Sequence, residues 1–181
     1  MDKILPLIEH GHIDYGENKV QEALEKWTEV KASNSNIKLH LIGKLQTNKV
    51  KFAVKLFDFI HSVDSVKLAQ KIADEGLKIN KKIKIFIQVN IGGESQKSGT
   101  NIDELESLVL FCKTINLELM GLMCIPPLSD EPLKYFKEMS KLNKFYGFSD
   151  LSMGMSSDYL VAAENSSTYL RIGSNIFGQR Y

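Results

Sequence analysis

Apolar residues recur along this chain in two alternating rhythms. Short runs such as Phe59–Val63, Lys84–Asn90 and Leu117–Ile125 are rich in apolar and β-branched residues and stop at Asp, Gly or Pro, which predicts buried strands. Between such runs the spacing changes. Val20, Ala23, Leu24, Trp27 and Val30 fall at helical intervals, as do Leu105, Leu108, Val109, Cys112 and Ile115. In chain order the pattern predicts a helix over Lys3–His10 ending at Gly11, a strand over His12–Tyr15, and a helix over about residues 17–31. A strand over Ile37–Ile42 and a helix from about Thr47 to Phe57 follow. After Phe59–Val63, Ser65 is placed to N-cap a helix carrying Val66, Ala69, Ile72 and Ala73, and Thr100 to cap the one after Lys84–Asn90. Pro132 opens a further helix with Leu133, Phe136, Met139 and Leu142 inward. Two last strands begin at Leu151 and Tyr169 and break into Gly and Ser.

Strands separated by helical stretches imply a parallel sheet covered by helices. Seven strands are predicted, and the first element is a helix with no strand before it. A closed (β/α)8 TIM barrel has one strand more and typically about 250 residues. The pattern therefore predicts such a barrel with its first strand missing. A seven-stranded doubly wound sheet is the alternative, weakened by the lack of GxGxxG after the first strand. No linker or composition shift divides residues 1–181, which read as a single domain incomplete at its N-terminus.

Composition narrows the function. Lys+Arg number 23 against 22 Asp+Glu, a net charge of +1, so no bulk field favours nucleic acid or a membrane surface. Cys112 and Cys124 stand alone, without CxxC or His-rich partners, as reduced thiols in a cytoplasmic protein would; no metal site is expected. The N-terminal residues contain no long apolar run, so neither signal peptide nor membrane span is expected. A monomer is the expectation.

Candidate chemistry collects where parallel strands end. Leu151-Ser-Met-Gly-Met-Ser-Ser-Asp158 and Tyr169-Leu-Arg-Ile-Gly-Ser-Asn-Ile-Phe-Gly178 each pass from strand to Gly/Ser turn to helix. Two such turns side by side could present N–H groups to a phosphate at the positive ends of helix dipoles. The other strand ends supply Glu17, Asn18, Gly43–Asn48, His61, Ser62, Asp64, Asn90 and Glu94–Gly99. Arg171 stands in an apolar strand, where a cation needs a partner or a ligand acceptor. A structural ion pair across the barrel and a ligand contact are both open on residues alone.

Six segments resemble the YggS/PROSC family of pyridoxal 5′-phosphate (PLP) homeostasis proteins, whose fold is similar to the barrel domain of alanine racemase. They are Tyr15-Gly-Glu-Asn-Lys-Val-Gln-Glu22, His40-Leu-Ile-Gly-Lys-Leu-Gln-Thr-Asn-Lys49, Gln88-Val-Asn-Ile91 with Lys97-Ser-Gly99, Gly121-Leu-Met-Cys-Ile-Pro126, Ser152-Met-Gly-Met-Ser156, and Arg171-Ile-Gly-Ser-Asn-Ile-Phe-Gly178. The resemblance runs from about Ile4 to Tyr181. It implies that Ser156, Gly173 and Ser174 bind the PLP phosphate, with Met155 contributing through its backbone. It also implies that Arg171 faces the pyridine nitrogen and that Asn18 lines the pocket, with His40 as a further candidate. The family's Schiff-base lysine belongs at the end of the first barrel strand, before everything present here. The missing strand and the missing lysine are one expectation. Three functions follow: a PLP-binding homeostasis protein without turnover, a racemase-like PLP enzyme, or a non-functional or split-barrel fragment. Lys44, Lys49 and Lys97 lie on the face where a substitute lysine would stand, but loop lysines usually serve solubility, so reversible, phosphate-directed binding is the expectation.

Overall fold

The computed structural model describes residues 1–94, 96–128 and 131–178. Ser95, within the expected strand-end set, and residues 179–181, where the resemblance ends, lie outside the described residues. Seven strands form one sheet: β1 Asp14–Glu17, β2 Lys38–Leu41, β3 Phe59–Val63, β4 Ile83–Val89, β5 Leu117–Cys124, β6 Asp150–Met155 and β7 Tyr169–Arg171. All neighbours are parallel, and spatial order follows chain order. Between the strands run α2 Val20–Ser33, α3 Val50–Leu56, α4 Val66–Lys78, α5 Ile102–Thr114, α6 Pro132–Phe145 and α7 Tyr159–Glu164. The short α1 Leu5–Glu9 and α8 Ser174–Phe177 stand at the two ends.

One distance decides between barrel and open sheet. The ring of Tyr169 on β7 lies 5.6 Å from that of His40 on β2. In a flat sheet those strands would stand about 24 Å apart, at about 4.8 Å per strand. The sheet is therefore curled into a barrel, and the doubly wound alternative is excluded. Among the described residues β1 and β7 do not pair, so seven strands stop one short of the closed (β/α)8 form.

Alternation along the strands divides the apolar residues into two cores. The larger lies between sheet and helices. It includes Trp27 of α2, Ile72 of α4, Leu105 of α5 and Phe136 of α6, all buried. The smaller fills the barrel with Phe59, Phe86 and Met123, against which Met120, Ile125 and Tyr169 pack. Ser65 caps α4 as expected, its Oγ accepting the Leu68 N–H at 3.4 Å. Thr100 does not cap α5; Asn101 occupies that position. The Thr100 N–H donates to the Gln88 carbonyl at 2.8 Å and its carbonyl accepts from Asn90 at 2.9 Å, so it extends the sheet. Glu17 points outward to α2, where its carboxylate accepts from Trp27 Nε1 and Lys26 Nζ, both at 2.7 Å. Cys112 and Cys124 are free and buried, and burial pushes each thiol up to about 12.

At Gly121 β5 lies close against the backbone of β6. A Cβ there would overlap the Asp150 carbonyl oxygen and touch Asn143 Oδ1 at 3.1 Å. Gly121→Ala should therefore push two strands apart and cost more than about 2 kcal/mol in urea unfolding. Gly173→Ala, whose Cβ meets nothing within 4 Å, should stay within about 0.5 kcal/mol of the parent. Equal stability of the two variants would contradict this packing.

Candidate functional site

The carboxyl ends of β6 and β7 run into two turns that are bonded to each other. At Gly154 the backbone takes φ +91°, and a Cβ would lie 2.5 Å from that of Ala162, so glycine lets α7 fold back against β6. The Met155 N–H donates to Asp158 Oδ1 at 2.6 Å, and the Asp158 N–H donates to the Met155 carbonyl at 3.0 Å. The Gly173 N–H, at the start of α8, donates to Ser156 Oγ at 3.1 Å. Asn175 Nδ2 donates to the Ser156 carbonyl at 3.0 Å. Ser156 and Gly173, with Ser174 next in the chain, thus share one rim, although they come from separate strands.

Gly173 differs in kind from Gly154. Its φ of −120° is open to any residue, and the space a Cβ would enter holds no protein atom within 4 Å. Packing therefore does not require glycine there; the cradle beside it is open. α7 and α8 have six and four residues, too short for the dipole contribution that the sequence suggests. What the rim offers is individual N–H and hydroxyl groups.

Beneath this rim a line of polar side chains crosses the apolar barrel interior. Asp14 Oδ1 lies 3.0 Å from His40 Nε2, and His40 Nδ1 lies 2.9 Å from His61 Nε2. His61 Nδ1 lies 2.9 Å from Ser152 Oγ. Arg171 Nη1 donates to that same oxygen at 2.7 Å, while Nη2 donates to the Cys124 carbonyl at 2.8 Å. His40 stacks on Phe59 and His61 on Phe86, with ring centroids 4.2 and 4.3 Å apart. Burial lowers the pKa of both imidazoles, that of His61 well below 6.5; the neighbouring His40 and Arg171 lower it further. Burial also lowers the pKa of Arg171, whose guanidinium lies inside although the residue as a whole keeps some exposure.

Arg171 therefore points inward; among the described residues its partners are a hydroxyl and a carbonyl, not a carboxylate. His40 has both ring nitrogens engaged in the interior line. Asn18 is half-buried at the end of β1, with its backbone carbonyl pressed against Gly43 so closely that a Cβ there would overlap it. The Met155 N–H is taken up by Asp158. Asp14 was not among the candidates, and His61 and Ser152 were candidates only as strand-end residues, with no binding role assigned. Period-two alternation was the available signal, since each is a polar residue on the face of its strand that carries no helix. Lys97 Nζ lies 2.6 Å from the Glu94 carboxylate and donates to the Pro126 carbonyl at 3.2 Å. Among the described residues no cluster could hold a metal ion, and no helix is long and apolar enough to cross a membrane.

Comparison with known proteins places this geometry. The family described as alanine racemase, N-terminal domain, matches residues 1–181. A pyridoxal phosphate homeostasis protein of Aquifex aeolicus is 39% identical over 176 residues, covering 92% of this chain and 76% of that protein. The structure of PipY from Synechococcus elongatus with PLP bound superimposes with a TM-score of 0.85 at 32% identity, over 97% of this chain and 86% of that one. An alanine racemase of Clostridium difficile, 15% identical with a TM-score of 0.75 over 98% of this chain and 48% of that one, shares the fold.

The buried imidazoles give stability a definite pH dependence. Their folded pKa values are depressed, so below about 6.5 the unfolded chain binds protons that the folded chain resists. Their contribution is fully present above that value and is lost as pH falls. The urea midpoint should drop between about pH 7.5 and about pH 5.5, and His61→Phe, which keeps a ring on Phe86, should flatten the slope. A slope unchanged by that replacement would remove His61 as its source.

Proposed function

The chain belongs to the pyridoxal phosphate homeostasis (YggS/PROSC) family, and on that premise we propose that it binds PLP at the β6–β7 rim without turning over amino acids. The observation that carries this reading is an open cradle at Gly173, two residues along the chain from an inward-pointing Arg171. Ser156 and Ser174 receive the phosphate through their hydroxyl groups, Gly173 leaves the space for it, and Met155 shapes the turn through its backbone. Arg171 faces the pyridine nitrogen with the N–H groups that Ser152 and Cys124 leave over. Asn18 lies beside the ring, and His40 acts from the interior. PLP supplies an electron sink when its ring nitrogen is protonated, and a guanidinium there keeps the nitrogen unprotonated, which favours holding the cofactor over amino-acid chemistry.

Covalent capture needs a neutral amine. Lys97 is held by a carboxylate and a carbonyl, and Lys3 Nζ donates to the Phe177 carbonyl at 2.6 Å. Lys44 is exposed and Lys49 half-buried. Binding by this chain is therefore reversible and directed by the phosphate. Residues 1–181 act as one PLP-binding domain in this reading. A monomeric cytoplasmic protein is the companion proposal. Unpaired thiols support the compartment, and the exposed Leu77, Leu110 and Phe145 lie on three separate helices.

Gly173→Val tests the cradle. It should leave unfolding unchanged and weaken both PLP and inorganic phosphate by at least about tenfold in titration calorimetry. Equal binding by the variant would move the site elsewhere. Borohydride treatment of the PLP-loaded protein followed by peptide mass mapping should give scattered, substoichiometric labelling. Stoichiometric labelling of one lysine would overturn reversible binding and identify the capturing residue.

A further inference from the structure

We propose that Asp14, His40, His61, Ser152 and Arg171 form a one-way hydrogen-bond relay, in which His61 and Ser152 are positioning residues for Arg171 and Asp14 sets the direction. Direction follows from donor and acceptor chemistry. A carboxylate only accepts, so His40 carries its proton on Nε2, toward Asp14 Oδ1 at 3.0 Å. Neutral His40 then accepts at Nδ1, which requires a proton on His61 Nε2, 2.9 Å away. His61 Nδ1 is left as an acceptor, and the Ser152 hydroxyl donates to it at 2.9 Å. Ser152 Oγ consequently turns its lone pairs to Arg171 Nη1, 2.7 Å away. Every bond is satisfied with both imidazoles neutral, and the reverse order fails at the first step because it leaves an unprotonated nitrogen facing a carboxylate.

The surroundings agree with neutral rings. His61 faces His40 and Arg171 as charged or titratable groups, with Tyr169 edge-on. His40 faces Asp14, with Asp58 and Lys38 further off and Tyr169 tilted beside it. Arg171 feels Cys124 and Asp158. The relay joins strands β1, β2, β3, β6 and β7, so a carboxylate at one edge of the open sheet fixes the orientation of a cation at the other. It deepens the ligand reading only at the Arg171 end; the proton positions stand without it.

Imidazole nitrogen NMR on the ligand-free full chain tests the relay. At neutral pH both His40 and His61 should be neutral Nε2–H tautomers. Asp14→Ala removes the acceptor that sets the direction, and His61 should then populate the Nδ1–H form. A charged ring, an Nδ1–H tautomer in the parent, or a His61 signal indifferent to Asp14→Ala would overturn the relay. A second arm addresses positioning. His61→Phe should weaken PLP binding severalfold while inorganic phosphate binding stays at the parental value. Unchanged PLP affinity would overturn the positioning role. A parent protein that binds neither ligand would sink the PLP reading and leave the nitrogen signals to decide the relay.

Discussion

A guanidinium held inside a barrel must be compensated there, because desolvating an unpaired charge is costly. In this chain the compensation of Arg171 is distributed. Among the described residues no carboxylate touches it; a hydroxyl and a backbone carbonyl accept from it directly. Behind the hydroxyl, two neutral imidazoles carry the polarity to Asp14 across the sheet. Removing Ser152 would strand a guanidinium N–H and an imidazole nitrogen together, at about 1–3 kcal/mol for each unsatisfied buried group. The polar line and the apolar cluster are interleaved: Phe59 and Phe86 stack on the two imidazoles, and Tyr169 packs beside both. Those rings exclude water from the hydrogen bonds, and the hydrogen bonds make it tolerable to bury the histidines.

Curvature makes this possible. His61 and Ser152 are 91 residues apart in the chain and sit on strands separated by β4 and β5. They meet because the sheet bends until its inward faces oppose each other. The same bend brings the ends of β6 and β7 together with the interior line beneath them. A rim that offers neutral N–H and hydroxyl groups then stands over a buried positive charge. That combination suits a ligand with a phosphate on one side and a ring nitrogen on the other.

The strands and helices were legible in the sequence because apolar spacing changes from continuous runs to helical intervals, and the barrel followed from the strand count. Thr100 was misread because Thr three residues before an acid, here Asp103, is also a cap signal, and only pairing with Gln88 and Asn90 distinguishes the two. Arg171 was legible as an anomaly, a cation in an apolar strand, but its partners were not. His61–Ser152 and Arg171–Cys124 are contacts between distant strands, and no local spacing encodes them. Glycines were equally opaque by type. Gly121 and Gly154 are demanded by backbone and side chains packed against them, whereas Gly173 borders open space.

The unclosed edge gives the relay its asymmetry. β1 and β7 are the two edges of the sheet, and they carry the two charged ends of the line, Asp14 and Arg171. The Asp14 side chain is 44% exposed and keeps much of its hydration, so little burial cost falls on the carboxylate. Arg171 at the other edge is turned inward and is dry. A wet anion is an adaptable terminus: it can hold the His40 proton in place without itself needing a buried partner. A dry cation is the opposite, since its remaining N–H groups gain from any acceptor that enters. The hydrogen-bond direction, fixed at the wet end, thus turns the Ser152 lone pairs to the cation at the dry end, two residues before Gly173. On the proposed reading, an acceptor arriving there adds to the bonds that Ser152 and the Cys124 carbonyl already accept.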